Sequence, residues 1–349
     1  MPHLLPSIDA PARPQAFPGP RIITGPEQFN VENLYVDLSG IFGRTLHLKC
    51  EGFNFAGSVK LRAAVEMVEA AERSGELLPG SVLIESSSGN LGIALSMIAA
   101  SRGYRFICVT DVRSNHASRR AMEAYGAQVE VIDGVHHPGG FLGARIAYVQ
   151  DLVASDSRHV WLNQYANPNN WRAHHRLTGP GLAQHFPDLE VLFVGAGTTG
   201  TLMGCARYLR EHRPSVKVVA IDAVGSVTFG GQPARRLIPG IGTGVRPPQL
   251  DASFVDDVVY VSEPDTIATC RALARRGFLF GGSTGTVVSG ALSWLAEHHL
   301  DDSPQALALA PDLGERYLES IYDDDWVWDN FELRPEVSAP ADRISAGQP

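Results

Sequence analysis

Asn54-Phe55-Ala56-Gly57-Ser58-Val59-Lys60-Leu61-Arg62 is the stretch around which the rest of the chain is organised. A glycine turn ends a strand, Ser58 is placed to open a helix, and Ala63, Ala64, Val65, Met67 and Val68 continue it to Ser74. Lys60 falls in the first helical turn, where the macrodipole favours Asp or Glu. A cation there is either a solvated side chain or one held by something anionic or covalent.

Outward from this point, strands and helices alternate. Thr45–Cys50 and Ser81–Glu85 are strands, the second a nearly continuous apolar run as in a strand buried on both faces. Gly89–Arg102 is an apolar helix, Phe106–Thr110 a strand, and Ala117–Tyr125 a helix ended by Gly126. Gln128–Ile132 is a strand, Gly139–Ser155 a helix, and Val160–Leu162 enters a polar loop, Asn163–Asn170. The second half repeats the rhythm, with strands at Val191–Val194, Val216–Ile221, Val258–Val261 and Ala306–Leu309. Helices follow to about His212, over Pro264–Arg276 and over Thr284–His298. This alternation predicts an α/β fold with parallel-rich sheets flanked by helices, and ligands at the carboxyl ends of the strands. Residues 1–20, with six prolines, read as a disordered arm, and 332–349 as a flexible tail.

The 349 residues allow two domains, and 44% hydrophobic content allows a substantial core. A net charge of −9 argues against a nucleic-acid partner. The four cysteines form no C-x-x-C pair and suit buried thiols in a reducing compartment. Neither a membrane span nor a signal peptide is visible, so a cytoplasmic protein is expected.

Three small-residue loops each join a strand to a helix. Glu85-Ser86-Ser87-Ser88-Gly89-Asn90-Leu91-Gly92 carries more hydroxyls than an N-cap requires, and suits a carboxylate or phosphate. Val194-Gly195-Ala196-Gly197-Thr198-Thr199-Gly200-Thr201 has the physics of a phosphate cradle, without the Gly-Lys-Ser/Thr of a P-loop. Phe280-Gly281-Gly282-Ser283-Thr284-Gly285-Thr286 is the third. A fourth loop, Pro239–Gly244, has no acid, base or metal ligand and reads as tight, mobile or close-packed. The pairs His136-His137, His174-His175 and His298-His299 are adjacent, so their side chains diverge on a helix and do not suit one metal ion. Asp323–Asp325 reads as a solvated acidic turn.

Taken in this order, the stretches resemble the fold-type II pyridoxal-phosphate enzymes, tryptophan synthase β-like in fold, and within them the cysteine synthase family, over roughly Leu46–Tyr322. Gly57-Ser58-Val59-Lys60 resembles the Schiff-base lysine motif. Ser87-Ser88-Gly89-Asn90 resembles the substrate-carboxylate loop, and Gly197-Thr198-Thr199-Gly200-Thr201 the cofactor-phosphate loop. Ser283 matches the residue facing the pyridine nitrogen, and Asn163-Gln164-Tyr165 and Pro311–Tyr317 also fit.

The resemblance implies pyridoxal 5'-phosphate as cofactor, with Lys60 as its covalent anchor and base. Asn90 would contact the ring hydroxyl. Ser87, Ser88, Gly89, Gln164, Arg145 and Tyr165 are implied on the substrate side, though Arg145 reads equally as a surface arginine. It also implies a homodimer acting on small amino-acid substrates, with residues 54–165 as a smaller domain and 21–53 plus 166–331 as a larger one.

A closer likeness runs to a branch joining O-phospho-L-serine to L-glutamate, toward 2,3-diaminopropionate in siderophore or antibiotic biosynthesis. It rests on Glu85–Leu95, Trp161–Asn167, Asp222–Val227 and Gly281–Gly285. A cysteine synthase using a sulfur donor, and a non-catalytic binding or regulatory protein of the same fold, are the alternatives. Two departures stand out. Leu61 follows the lysine where the family usually has Asp, and the usual Gly-Asn/Gln-Thr-Pro-Leu signature is missing before the first strand.

Overall fold

A computed structural model describes residues 22–133, 137, 140–298 and 305–333. The expected arm at 1–20, most of the expected tail, Gly139, His136 and His299 lie outside these residues. Among the described residues the strands form two sheets. The first has β1 (Tyr35–Asp37), β2 (His47–Cys50), β7 (Val191–Gly195), β8 (Lys217–Ala223), β9 (Asp257–Val261) and β10 (Ala306–Ala310), in the order β1-β2-β10-β7-β8-β9. The second has β3 (Val82–Ser86), β4 (Arg105–Asp111), β5 (Gln128–Ile132) and β6 (His159–Trp161), in the order β5-β4-β3-β6. The β1–β2 pair is antiparallel, whereas the remaining pairings are parallel.

Strand burial explains the apolar runs. In β10, Ala306, Ala308 and Ala310 enter one core while Leu307 and Leu309 enter another on the opposite face. In β7, Val191 and Phe193 take the first side and Leu192 and Val194 the second. The period of two, with both faces covered by helices, turns each central strand into a continuous hydrophobic segment.

The covering helices are α1 (Ser39–Phe42), α2 (Lys60–Ser74), α3 (Asn90–Arg102), α4 (His116–Ala124), α5 (Gly140–Ser155), α6 (Pro168–Ala173), α7 (Gly179–His185), α8 (Gly200–His212), α9 (Glu263–Ala274), α10 (Gly282–Glu297) and α11 (Asp324–Phe331). Helix α2 begins at Lys60, two residues later than the sequence suggests, because Ser58 pairs through its backbone with Asp312. Leu61 points into the core beside the four-stranded sheet, with Ala56, Ala64 and Leu91 in the same cluster. Burying a leucine of this kind contributes roughly 2 kcal/mol. The next residue, Arg62, fixes the helix to β2: Nε lies 2.8 Å from Glu51 and Nη2 lies 2.6 Å from Glu32. Lys49 completes the buried network, 2.7 Å from Glu51.

The sequence reading missed the helical segment that follows Asn167. There Asn167 caps α6 by accepting from Asn169 N, a π-helical turn runs through His174–Thr178, and α7 continues from Gly179. Asp323–Asp325 is corrected from a solvated turn to a helix start: Asp323 accepts from Trp326 N at 2.6 Å, and Asp324 pairs with Arg271 at 2.6 Å. Acidic residues at this end also suit the helix dipole.

Candidate active site

The carboxyl ends of β3 and β7 and the chain after β10 open onto one cavity of about 590 Å³. Lys60 lines it from the start of α2, Asn90 from α3, Thr201 from α8 and Ser283 from α10. Several positive helix ends thus converge on the same space, which favours an anionic occupant.

Burial pushes the Lys60 amine down to about 8, while Asp312 acts in the opposite direction. Beside it, the turn after β3 divides its hydroxyls. Ser87 Oγ accepts from Gly92 N at 2.9 Å and from Gly89 N at 3.3 Å, so it caps α3. Ser88, Gly89 and Asn90 line the cavity with it. Asn90 Oδ1 accepts from Arg316 Nη1, and its Nδ2 donates to Asp312 Oδ2 at 3.4 Å.

The turn before α8 requires its glycines. A Cβ on Gly197 would lie 2.6 Å from the Gly240 carbonyl oxygen, and one on Gly200 would lie 2.0 Å from Asn170 Oδ1. Thr199 adopts a left-handed conformation with φ 65°, and its Oγ1 is buried without a hydrogen-bond partner. Thr198 Oγ1 accepts from Asn170 Nδ2 at 3.1 Å. Gly197, Thr198 and Thr201 line the cavity; Thr199 and Gly200 form the turn behind it. Thr201 Oγ1 is 3.2 Å from His174 Nε2, while His174 Nδ1 is 3.0 Å from Thr178 Oγ1. Burial holds His174 well below its ordinary pKa, so it is a neutral link in this network. His175 turns away to Glu211. The Pro239–Gly244 loop is close-packed and lines the cavity, with Gly240 against Ser283 Oγ.

Glu85 sits fully buried beneath the Ser86–Gly89 turn. It accepts from Ser86 N at 2.8 Å, Trp161 Nε1 at 3.1 Å and Gln164 N at 3.1 Å. Burial nevertheless raises its pKa to about 7. Gln164 Nε2 donates to the Ser86 carbonyl at 2.8 Å, which ties β6 to the same turn. Sequence reading missed Glu85 as a site-shaping group; an acid at the inner end of a buried apolar strand was the available signal.

Arg145 is 6% exposed, which removes the surface alternative. Its Nε stands 3.4 Å from Asp111 Oδ2, and Nε and Nη1 make no hydrogen bond. Tyr165 lines the same cavity, with burial raising its phenol and Arg145 opposing that shift. Arg113, Arg235, Arg236 and Arg316 also line it. Arg113 stacks 3.8 Å over Phe141 and contacts Asp111 at 3.3 Å. Arg113, the adjacent pair Arg235 and Arg236, and Arg316 come from three separate segments, and sequence spacing gave no sign that these segments meet at one cavity. Such a cavity can hold a phosphorylated ligand against helix ends and a second anion against guanidinium groups.

A family model described as pyridoxal-phosphate dependent enzyme matches residues 35–312. The chain is 40% identical over 303 residues to the N-(2-amino-2-carboxyethyl)-L-glutamate synthase of Ralstonia nicotianae, covering 86% of this chain and 88% of that one. It is 40% identical over 298 residues to the protein of the same name from Cupriavidus metallidurans, covering 84% and 87%. The crystal structure of O-ureido-L-serine synthase superposes with a TM-score of 0.79 at 33% identity, covering 89% of this chain and 96% of that chain.

Proposed function

The chain belongs to the family of pyridoxal-phosphate dependent enzymes, and from that premise we propose that it joins O-phospho-L-serine to L-glutamate, giving N-(2-amino-2-carboxyethyl)-L-glutamate. The observation that carries this choice is the buried Arg145, whose unbonded guanidinium nitrogens stand beside a cavity lined by four further arginines. A phosphate monoester and a dicarboxylate are the substrates such a site suits. The two relatives named for this synthase support the same reading.

The residues present fit the cofactor. A buried, partly neutral amine stands at Lys60, and an unpartnered Thr199 hydroxyl and the α8 N-terminus form a cradle closed by glycines. When bound, pyridoxal phosphate supplies the electron sink that lets a group at Cβ of an amino acid leave and another add.

Lys60 would hold the cofactor covalently and, once free, its amine would carry the proton from and to the substrate Cα. Asn90 would contact the ring hydroxyl. Ser283, a neutral hydroxyl lining the cavity, would hold the ring nitrogen without protonating it. Thr198, Thr199, Gly200 and Thr201, with Gly197, would hold the phosphate. The turn Ser87-Ser88-Gly89 receives the substrate carboxylate, with Gln164 bracing it; Arg145 and Tyr165 receive the second amino acid.

The reading extends to a cytoplasmic homodimer in siderophore or antibiotic biosynthesis, with residues 54–165 as the smaller of its two domains. Purified enzyme given O-phospho-L-serine with either L-glutamate or sulfide tests the central claim. Mass spectrometry is expected to show the glutamate adduct and loss of phosphate. Product with sulfide and none with glutamate would make it a cysteine synthase. Light scattering on the eluting protein tests the dimer.

A further inference from the structure

We infer that Asp312, in the segment leaving β10, is a positioning residue that locks together the three chain segments presenting Lys60, Asn90 and Ser283 to the cofactor. The inference rests on the cofactor roles proposed above, and is independent of which nucleophile the enzyme uses.

Asp312 is 1% exposed, and both of its carboxylate oxygens are occupied. Oδ1 accepts from Thr284 N and Thr284 Oγ1, each at 3.2 Å, at the start of α10 beside Ser283. Oδ2 accepts from Tyr317 OH at 2.6 Å and from Asn90 Nδ2 at 3.4 Å. The backbone adds the third attachment. Asp312 bridges to Ser58, Val59 N donates to the Pro311 carbonyl at 2.8 Å, and Gly281 N donates to the Asp312 carbonyl at 3.1 Å. The residue is therefore stitched between the chain entering α2 and the chain entering α10. Space is reserved for it, since a Cβ on Gly281 would lie 2.4 Å from its carboxylate.

Capping α10 needs only the Thr284 contacts. The other oxygen reaches two cavity-lining side chains, Tyr317 and Asn90. The titratable groups facing the carboxylate are Lys60 from α2, Cys270 from α9, and Arg316, Tyr317 and Tyr322 from the segment after β10. In Asp312→Asn, an amide NH₂ replaces one oxygen, so either Asn90 or Thr284 N faces a donor instead of an acceptor. The negative charge beside Lys60 is also lost, which favours its neutral amine.

The test follows covalent capture of pyridoxal phosphate by the apoenzyme across pH, together with the absorption maximum of the bound cofactor. In Asp312→Asn the capture midpoint is expected to fall by at least about half a unit, and the absorption maximum to shift. Thr284→Val removes the side-chain tie to α10 but keeps the charge; it is expected to lower the melting temperature and leave the midpoint in place. Tyr317→Phe, which deletes the 2.6 Å bond, gives the same absorption readout should Asp312→Asn fail to fold. Unchanged midpoint and spectrum in Asp312→Asn would overturn the inference, as would an unchanged spectrum in Tyr317→Phe.

Discussion

Arg145 and Asp111 face one another with Nε and Oδ2 3.4 Å apart, an ion pair between buried groups that makes no hydrogen bond at Arg145 Nε. The guanidinium keeps unused donors beside the cavity, while its charge is already balanced. A carboxylate entering beside Arg145 would meet a planar set of N–H donors that lysine cannot reproduce. Arg145→Lys is therefore expected to raise the KM for the second amino acid tenfold or more, the scale of about 1.4 kcal/mol. Cofactor capture should be unaffected. Steady-state kinetics with each substrate varied in turn would check this; an effect confined to kcat would count against it.

The burial of Lys60 sets a pH profile. Its pKa falls from 10.5 to about 8, so the reactive neutral amine accumulates as pH rises through 8. Capture of pyridoxal phosphate by the wild-type apoenzyme should rise with that midpoint in stopped-flow absorbance. The sign for stability follows. The folded state holds fewer protons than the unfolded one between pH 8 and 10.5, so the cost of burying the ammonium is full below 8 and is relieved across that window.

Glu85 titrates in the opposite sense. Burial raises its pKa from 4.5 to about 7, so the folded protein binds the extra proton between those values and loses stability as pH rises through them. The linked cost is on the order of 3 kcal/mol above pH 7. Glu85→Gln should remove that dependence. The stability of the wild type relative to the variant is then expected to decline from pH 5 to pH 8 in denaturant melts. A constant difference would show that Glu85 keeps one charge state throughout.

Gly200→Ala tests the proposed phosphate turn. The new methyl would lie 2.0 Å from Asn170 Oδ1, in a side chain that donates to Thr198 Oγ1 and to the Gln164 carbonyl. Relieving the overlap has to break at least one of these bonds. A stability loss of about 1–3 kcal/mol and a weakened hold on pyridoxal phosphate are expected, read by thermal melts and fluorescence titration. Ser88→Ala, at a partly exposed position in the other turn, should leave the melt nearly unchanged.

What could be read in the sequence follows the physics of each part. The central strands were legible because burial on both faces leaves continuous apolar runs, as in Val191–Val194 and Ala306–Leu309. The small-residue turn before α8 was legible because a backbone that must pass close to its neighbours selects glycine, as at Gly197 and Gly200. The segment Pro168–His185 was not, because short helices joined by a π-helical turn give no sustained apolar period. Ser87 looked like a ligand donor, and its hydroxyl is used in capping. Arg113 and Arg236 acquire meaning only when β4 and the loop after β8 are brought to one cavity. Leu61 is understandable only in three dimensions, as a side chain delivered to the core while its neighbours Lys60 and Arg62 serve the cavity and the buried ion network.

The pairing of His47–Cys50 with Leu307–Ala310 also has a consequence for how the protein is made. The strand that leads to Lys60 leaves the ribosome well before its parallel partner, which is translated only after most of the described chain. Until then one edge of β2 lacks its neighbour, and Ser58 lacks the Asp312 bridge that sets the start of α2. The nascent chain can fold Val82–Trp161 around its own sheet first, since those strands pair among themselves. A ribosome-bound chain halted before residue 306 should therefore carry a folded four-stranded unit and an unfinished lysine loop, so that the cofactor is taken up only once residues 306–312 have emerged.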